Sequence, residues 1–221
     1  MANERSGSHR WVEVGPDRIE GWLDSFGHRH GGVTIEPGPE LVIVAAADGA
    51  VAECHPPFPP LRPGSGGTGE ELAEHAAAER VVGVLLVRLG GYAAGVFTGP
   101  DARLAASKVG SRLVHGRSAA GGTSQHRFAR RREKQATEAL AAAADCAVRV
   151  LGPYAADLDA VVLGGDRRAI TALRSDVRLE QYFAIAVERF LTVPDPRLNV
   201  LRATPRAFRA IRIRLTQADS G

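Results

Sequence analysis

The stretch VVGVLLVRLGGYAAGVFTGPDARLAASKV, residues 81–109, decides the fold of the larger part of the chain. It contains three runs rich in apolar residues, namely Val81–Leu89, Tyr92–Thr98 and Arg103–Val109. Short turn sequences, Gly90-Gly91 and Gly99-Pro100-Asp101, separate these runs. Apolar runs divided by glycine turns are typical of tight hairpins, so the stretch predicts an antiparallel meander of strands.

A long helix is predicted after this meander, from Gln125 to about Val150. Its apolar positions recur at the spacing of one helix face. The predicted buried positions are Phe128, Ala136, Leu140, Ala143, Ala147 and Val150. Ser124 or Thr123 is the natural N-cap, because a side-chain hydroxyl can accept a hydrogen bond from a free backbone N–H of the first turn.

The elements beyond this helix complete the predicted fold. Asp159–Leu163 is predicted as a strand, followed by Gly164-Gly165-Asp166 and a helix that ends near Arg174. Residues 181–191 and 197–215 are predicted to be largely helical or mixed. The order of these elements predicts an α/β fold of the α+β kind, in which helices cover a mixed β-sheet.

The N-terminal part is predicted to be a small αβ extension over residues 1–55. Gly15-Pro16-Asp17 opens a helix that ends at Gly27. Short apolar runs divided by turns predict the strands Trp11–Val14, Val33–Ile35, Leu41–Ala47 and Ala50–Cys54. Residues 56–69 are rich in proline and glycine, which is typical of a linker or a long loop. We therefore assign residues 70–215 to a second, larger domain and residues 216–221 to a tail.

One short window of the sequence is strongly basic. Between Arg103 and Lys134 there are nine arginine or lysine residues and one acid, Glu133, whereas the whole chain carries +3. The window thus carries +8, and the rest of the chain sums to −5. Such a local excess favours contact with a polyanion, because each cation near a phosphate releases condensed counterions. A solvated loop beside a charged helix start is the alternative that composition leaves open.

The remaining composition indicates a protein of the reducing cytoplasm. Cys54 and Cys146 are isolated, without the CxxC spacing of redox or metal motifs, so two free thiols are expected. No apolar run approaches the length of a membrane span, and no apolar stretch follows the N-terminal charges as in a secretory signal. With 221 residues the chain is long enough to bury a full core.

Familiar catalytic motifs are absent from the sequence, which has no GxxxxGK[ST], GxSxG or HExxH. Cys54 and His55 are neighbours on a predicted strand, so their side chains point to opposite faces and cannot easily meet. His28 and His30 have no third metal ligand at a suitable spacing. A two-metal nuclease would need several carboxylates around a sheet. The available aspartates have a spacing that indicates no site: Asp101, Asp145, Asp157, Asp159 and Asp166.

Two glycine pairs remain as candidates for chemistry. Gly164-Gly165 could cradle a phosphate at a helix start, although a tight strand-to-helix turn explains that pair equally well. Gly121-Gly122 lies in an uncharged loop, Ser118–Ser124, which ends at Gln125 within the basic window. Glutamine is a poor general base, because its amide takes up no proton near neutral pH. It can orient water and hydrogen-bond to ester or hydroxyl oxygens, which suits a loop that reaches into a site built by another molecule.

The basic window also holds a specific combination of short motifs. It has His115-Gly116-Arg117, then Gly121-Gly122, then the block Arg127-Phe128-Ala129-Arg130, followed by Arg132 and Glu133-Lys134. This combination resembles the eukaryotic and archaeal class 1 peptide-chain release factors, in which the RFAR block stands at the same distance from the glycine pair. Upstream, VVGVLLVRLGGYAAGVFTG is similar to the central-domain hairpin of that family, and the similarity extends loosely to about Pro205.

Two departures direct the resemblance to one branch. Ser118-Ala119-Ala120 is inserted before the glycines, and the glutamine comes two positions later than in the Gly-Gly-Gln of the release factors. This form resembles the Vms-like peptidyl-tRNA hydrolase and release factor family, and within it the bacterial, actinobacterial members. That branch frees nascent chains from peptidyl-tRNA on stalled ribosomal subunits. The chain has no room for the codon-reading domain of the termination factors, so the resemblance implies release that is independent of stop codons.

The resemblance implies that the fold is the central domain of a release factor. It also implies roles for the glycine pair, the glutamine and the polar and basic residues around them. Gly121, Gly122 and Gln125 would hydrolyse the ester that joins peptide to tRNA, with the glycines allowing close approach in a narrow RNA-lined channel. The remaining candidates would hold RNA: Arg112, His115, Arg117, Thr123, Ser124, Arg127, Arg130, Arg131, Arg132 and Lys134. The implied partners are the large ribosomal subunit, peptidyl-tRNA and rRNA in the cytoplasm. No metal, other cofactor, DNA or membrane is implied.

Two other functions stay open. One is a non-enzymatic ribosome- or RNA-binding module, whose basic loop only docks. The other is a nuclease that uses an unrecognised set of carboxylates.

Overall fold

A computed structural model describes residues 9–61, 67–88, 90–111 and 124–217, and for residues 124–132 it describes the backbone alone. The chain divides into two compact units, of which the first contains residues 1–78 and 206–221 and the second residues 79–205. Each unit has its own sheet and its own apolar core. No helix in these described ranges is both long and apolar enough to cross a membrane.

The first unit is an antiparallel sheet with helices on one face. Its elements are β1 (His9–Val14), α1 (Ile19–Arg29), β2 (Val33–Glu36), β3 (Val42–Ala46), β4 (Val51–His55), α2 (Thr68–Ala77) and β10 (Ile211–Thr216). The strand order is β1-β10-β4-β3-β2, so the last strand of the chain lies between the first and the fourth.

Alternation along the strands of the first unit separates its core from its surface. Val42 and Val44 of β3 are buried, and so are Ile211 and Ile213 of β10. These side chains pack in one cluster with apolar residues of α1 and α2, among them Leu23. Side chains of a strand point alternately to its two faces, so the intervening polar residues of β10 lie on the opposite face of the sheet.

The second unit is a mixed sheet covered by helices. Its elements are β5 (Val82–Arg88), β6 (Gly91–Thr98), β7 (Arg103–Ser111), α3 (Ser124–Leu151), β8 (Ala160–Gly165), α4 (Arg167–Leu173), α5 (Glu180–Ala184), β9 (Ala186–Leu191) and α6 (Leu198–Arg202). A further short helix, α7 (Thr204–Phe208), crosses the boundary between the units. The strand order is β7-β6-β5-β8-β9.

Strand directions in the second unit bring four strand ends to one edge of the sheet. β5, β6 and β7 form the predicted antiparallel meander, and β8 and β9 run parallel to β5. At this edge, Gly91 of β6 pairs with Ser111 of β7 on one side and with Arg88 of β5 on the other. The neighbouring residue of β5, Val87, pairs with Gly165 of β8. We call this edge, where β5, β7, β8 and β9 end, the carboxyl edge. The chain leaves β7 at this edge and re-enters the described structure at the start of α3.

Helix α3 is fastened to the sheet along its second half. Ala143, Ala147 and Val150 are buried in the core, as the periodicity predicts. The Cys146 Sγ donates a hydrogen bond to the carbonyl oxygen of Lys108 in β7, at 3.5 Å. These contacts fix the helix against the strand that leads into the glycine loop.

The turn after β8 needs its glycines for packing. A Cβ at Gly164 would lie 2.7 Å from the Leu191 carbonyl oxygen, and one at Gly165 would overlap the carbonyl oxygen of Val87. Gly165 also has a φ of +102°, which favours glycine. Asp166 occupies the start of α4, where its Oδ1 accepts a hydrogen bond from the Arg168 N–H at 2.7 Å. The strand-to-helix turn therefore explains this glycine pair.

The structure confirms the mixed α/β fold and refines several local predictions. Ala136, predicted to be buried, is exposed, because the packed part of α3 begins at Ala139. Residues 181–191 and 197–215, predicted to be largely helical or mixed, contain the strands β9 and β10 beside short helices. Residues 70–78 and 206–215, assigned by sequence to the larger domain, pack in the first unit instead, because β10 pairs with β1 and β4.

Candidate active site and RNA-binding surface

The first half of α3 extends away from the body of the second unit. Of residues 133–138, five are exposed, and Gln135 is half-buried. A window of this length covers more than one full turn, so most of the helix surface at residues 133–138 is open to solvent. Among the side chains of α3 that the structure describes, from residue 133 onward, the buried ones lie between Ala139 and Leu151.

The length of this extension follows from the helix bounds. Ser124, the first residue of α3, precedes Ala139 by fifteen positions. At about 1.5 Å of rise per residue, this separation is about 22 Å along the axis. The Cys146 thiol is hydrogen-bonded to the backbone of Lys108, near the end of β7. Further along the helix, Leu151 lies near Gly83, at the start of β5. The helix thus runs along the sheet with its first residue beyond the carboxyl edge.

The predicted catalytic residues lie at or before this helix start. Residues 112–123 lie outside the described part of the chain, and they include Arg112, His115, Arg117, Gly121, Gly122 and Thr123. Ser124 and Gln125 are the first two residues of α3, so the helix begins one residue before its predicted start. The backbone at Arg127, Arg130, Arg131 and Arg132 is helical, as predicted.

The cations of the basic window whose side chains the structure describes are exposed. The side chain of Lys134 is 77% exposed, and its Nζ lies 3.9 Å from Glu138 Oε1, one turn along the helix. An exposed pair of this kind stabilises a helix by about 0.3–0.5 kcal/mol, so it leaves the lysine available for other partners. Lys108 and Arg103 are exposed on β7, which is the outer strand of the sheet.

Three of the five aspartates considered for a nuclease serve structural roles. Asp145 pairs with Arg178 at 2.8 Å, and Asp159 accepts a hydrogen bond from the Val81 N–H at 2.7 Å. Asp166 caps α4. Within the described ranges, no three histidine, cysteine, aspartate or glutamate side chains are arranged to hold a metal ion.

The cysteine and histidine pairs also have structural surroundings. Burial in the core raises the pKa of the Cys54 thiol to about 12. His55, on the opposite face of β4, packs its ring 5.3 Å from that of Trp11, which agrees with the prediction that the two residues cannot meet. His30 Nδ1 lies 2.7 Å from Asp48 Oδ2 at the helix exit. Burial raises the pKa of the Cys146 thiol as well.

Comparison with protein families identifies the group to which this architecture belongs. The model of the actinobacterial and chloroflexi VLRF1 release factor matches residues 80–214, more than half of the chain. The chain belongs to the VLRF1 release factor family. The match begins at the meander and includes the glycine loop and α3, so the predicted relationship is confirmed and a role in translational release follows for the family.

Solved structures add distant similarities to the VLRF1 assignment. The archaeal translation termination factor aRF1 is 14% identical with a TM-score of 0.44, and the alignment covers 91% of this chain and 66% of that one. The Vms1 mitochondrial localization core is 10% identical with a TM-score of 0.41, and the alignment covers 89% of this chain and 80% of that one. An archaeal protein is 18% identical with a TM-score of 0.36, and the alignment covers 72% of this chain and 47% of that one. No curated protein sequence matches the chain.

Sequence reasoning missed one group of side chains in this VLRF1 chain. The guanidinium carbon of Arg167 lies 4.3 Å from the ring centre of Phe190, and that of Arg174 lies 4.6 Å from the ring centre of Phe183. Phe190 lies on β9 and meets Arg167 because β9 pairs with β8, the strand that leads into α4. Phe183 lies on α5, nine residues after Arg174. The correct placement of β9 and α5 would have been needed to find both pairs.

Proposed function

We propose that this protein releases nascent peptides by hydrolysing the ester of peptidyl-tRNA on stalled ribosomes or on separated large subunits, without reading a stop codon. The family assignment supports a role in release. The finer proposal adds a substrate, a reaction and a set of residues. Gly121, Gly122 and Gln125 would carry the reaction, and the basic window would hold RNA.

The observation that carries the proposal is the extended first half of α3. A loop that acts inside an RNA-lined site must reach beyond the body of its own domain. Here the glycine loop connects a strand end at the carboxyl edge with a helix start about 22 Å beyond the first buried residue of that helix. The packed second half of α3 and the Cys146–Lys108 hydrogen bond would anchor this extension.

The proposed ester hydrolysis requires no acid, base or nucleophile from the side chains of this protein. Water adds to the ester carbonyl carbon, the bond from that carbon to the ribose oxygen breaks, and the ribose oxygen leaves with a proton. Gln125 would orient the water through its amide, and an oxygen of the substrate or of the RNA must accept the proton, since an amide is no base. Free backbone N–H groups of the first turn of α3 could stabilise the developing oxyanion.

The arginines would position the loop through phosphate contacts. Positions 130 and 131 each lie three or four residues after position 127 and three or four before position 134, so the four positions share one side of α3. Position 132 lies on another side, seven residues before the buried Ala139, which is close to two turns. Contacts from Arg127, Arg130, Arg131 and Lys134 would carry little sequence information, as expected for phosphate binding. The mechanism calls for no metal or other cofactor.

A Gln125→Ala variant tests the proposal. Peptide release is measured from purified large subunits that carry peptidyl-tRNA, with subunit binding measured in parallel. We expect unchanged binding and a release rate lower by on the order of 10²-fold, the usual cost of removing one well-placed polar contact. Full release by the folded variant would contradict the role of Gln125. Binding without release by the parent protein would favour a docking module instead.

A further inference from the structure

Two arginines, Arg167 at the start of α4 and Arg174 directly after its end, are held against phenylalanine rings in the second unit. Arg167 and Arg174 are seven residues apart, which is close to two helical turns and about 10 Å along the axis. Their guanidinium groups lie over Phe190 and Phe183, respectively. We call these four side chains the arginine strip.

The arginine strip is basic and has no acidic partner within the described ranges. Both arginines are exposed, and neither guanidinium forms an ion pair there. The sequence of α4, RRAITAL, adds the exposed Arg168 and contains no acid. Arg178 nearby differs, because its guanidinium already binds Asp145 and Asp176. The strip therefore presents cationic charge that the protein does not neutralise.

The arginine strip begins at the edge from which the glycine loop departs. Arg167 follows the last residues of β8, and Phe190 is near the end of β9, so this pair lies at the carboxyl edge. β9 and β7 are the two outer strands of the sheet, and four strand spacings of about 4.8 Å separate them by about 19 Å. The strip thus adjoins the exit of β7 at a distance that one RNA molecule could span.

Stacking prepares an arginine for phosphate binding. A guanidinium held over a ring still has N–H groups free to reach phosphate oxygens, which its planar fork matches in a bidentate manner. Because the ring already restricts the side chain, less conformational freedom is lost when a phosphate binds. Lysine has a compact charge and cannot reproduce this planar arrangement.

We infer that the arginine strip is a second RNA-binding surface, at which Arg167 and Arg174 contact backbone phosphates of the RNA that the glycine loop approaches. This inference rests on the proposed function for the choice of RNA as the polyanion. The strip would fix the orientation of the second unit, because two contacts on opposite sides of the carboxyl edge prevent rotation about the loop. Its contribution is positional and carries no sequence specificity.

The test compares salt dependence of binding among three double variants. Affinity for purified large ribosomal subunits and for a labelled tRNA is measured over a range of potassium chloride concentrations. R167Q/R174Q removes both charges, and R167K/R174K keeps them without the planar stack. R197Q/R202Q is the matched control, because it removes two exposed arginines of the same unit that have no ring beneath them within the described structure. Thermal melting of each variant reports folding.

We expect R167Q/R174Q to lower the slope of log affinity against log salt by about 1.4 to 1.8, at about 0.7 to 0.9 for each lost phosphate contact. R197Q/R202Q should keep the parent slope, and R167K/R174K should keep the slope with weaker affinity. A changed salt slope for tRNA binding assigns the contact to tRNA. A slope that changes for subunit binding and stays constant for tRNA binding assigns the contact to rRNA. If the glutamine variant melts early, the single variants R167Q and R174Q replace it, each with about half the effect.

Three results would overturn the inference. One is an unchanged slope for folded R167Q/R174Q, and another is an equal fall for the matched control. The third is weaker subunit binding at constant slope for R167Q/R174Q, which would indicate a ribosomal protein as the partner. If R167K/R174K binds as tightly as the parent, the role given to the rings is wrong. Peptide release by the parent is measured alongside, because its absence contradicts the proposed function while leaving a changed slope as support for the strip.

Discussion

Breaking α3 in its exposed stretch, residues 133–138, should uncouple activity from stability. Proline at position 136 removes the N–H that bonds to the carbonyl four residues earlier, and its ring clashes with that carbonyl, at a cost of about 3 kcal/mol in a helix interior. Ala136 is exposed, and burial along α3 begins only at Ala139. The residues before the proline can therefore unwind locally, and the core of the second unit keeps its contacts.

The expected magnitudes follow from this separation. If the full 3 kcal/mol weakened global unfolding, the melting temperature would fall by about 6 to 12 °C for a chain of this size. We expect Ala136→Pro to lower it by less than about 2 °C. Peptide release should fall on the order of 10²-fold, because the glycine loop is no longer held in position. Calorimetry and a release assay on stalled large subunits measure the two effects.

Two matched variants make the result decisive. Ala136→Gln keeps a good helix former at the same exposed position and should preserve both stability and release. Ala143→Pro breaks the packed half and should destabilise the unit strongly, because Ala143 is fully buried. A large loss of melting temperature in Ala136→Pro would refute the view that this half of α3 stands apart from the core. Undiminished release by that variant would refute its role in delivering the loop.

Three further predictions test the loop, the charges and the core. Replacing Gly121 and Gly122 with alanine should reduce release in the same assay while melting stays unchanged; a clearly lower melting temperature would mean that the pair supports the fold. Replacing Arg130, Arg131 and Arg132 with glutamine should lower the salt slope of large-subunit binding by about 1.4 to 1.8, because Arg130 and Arg131 share the proposed phosphate-binding side of α3 and each contact contributes about 0.7 to 0.9; a folded variant with the parent slope would exclude these contacts. Burial raises the pKa of Cys54 to about 12 from 9.0, so the unfolded chain ionises this thiol first and stability should fall as pH rises from about 9 toward 12. Thermal melts at pH values below and above 9 should show a smaller loss of stability for Cys54→Val than for the parent protein. An equal loss in both proteins would contradict the raised pKa of Cys54.

The parts of the fold that depend on local pattern could be predicted from the sequence. The meander of β5, β6 and β7 follows from apolar runs and glycine turns, and the packed half of α3 follows from its periodicity. The exposure of Ala136 could not be predicted, because periodicity shows which side of a helix is apolar and says nothing about where the sheet beneath it ends.

Long-range pairing explains the remaining differences. In β10, Ile211 and Ile213 alternate with Arg212 and Arg214, a two-residue period that marks a strand with one buried face. Arginine is so frequent in this chain that the alternation was not recognised as a strand pattern. The pairing of β10 with β1, about two hundred residues earlier, shows that this strand belongs to the first unit. The contact of Arg167 with Phe190 depends on β9 in the same way.

The residues proposed for the candidate site could be nominated from the sequence, whereas the reach of α3 could not. The glycine pair, Gln125 and the RFAR block are local motifs, so a resemblance could identify them. The extension of α3 beyond the carboxyl edge depends on how far the sheet covers the helix, which is a property of packing. That extension is the feature on which the proposed function most depends.

Hydrolysis of the peptidyl-tRNA ester is tested most directly by following the oxygen of the attacking water. Large subunits that carry peptidyl-tRNA are treated with the protein in oxygen-18-labelled water, and the released peptide and the tRNA are analysed by mass spectrometry. We predict a peptide with one labelled oxygen in its terminal carboxylate and a tRNA with an intact 3′ end, with little product for Gln125→Ala. A peptide that still carries a nucleotide, together with a shortened tRNA, would show cleavage of the RNA chain and contradict ester hydrolysis.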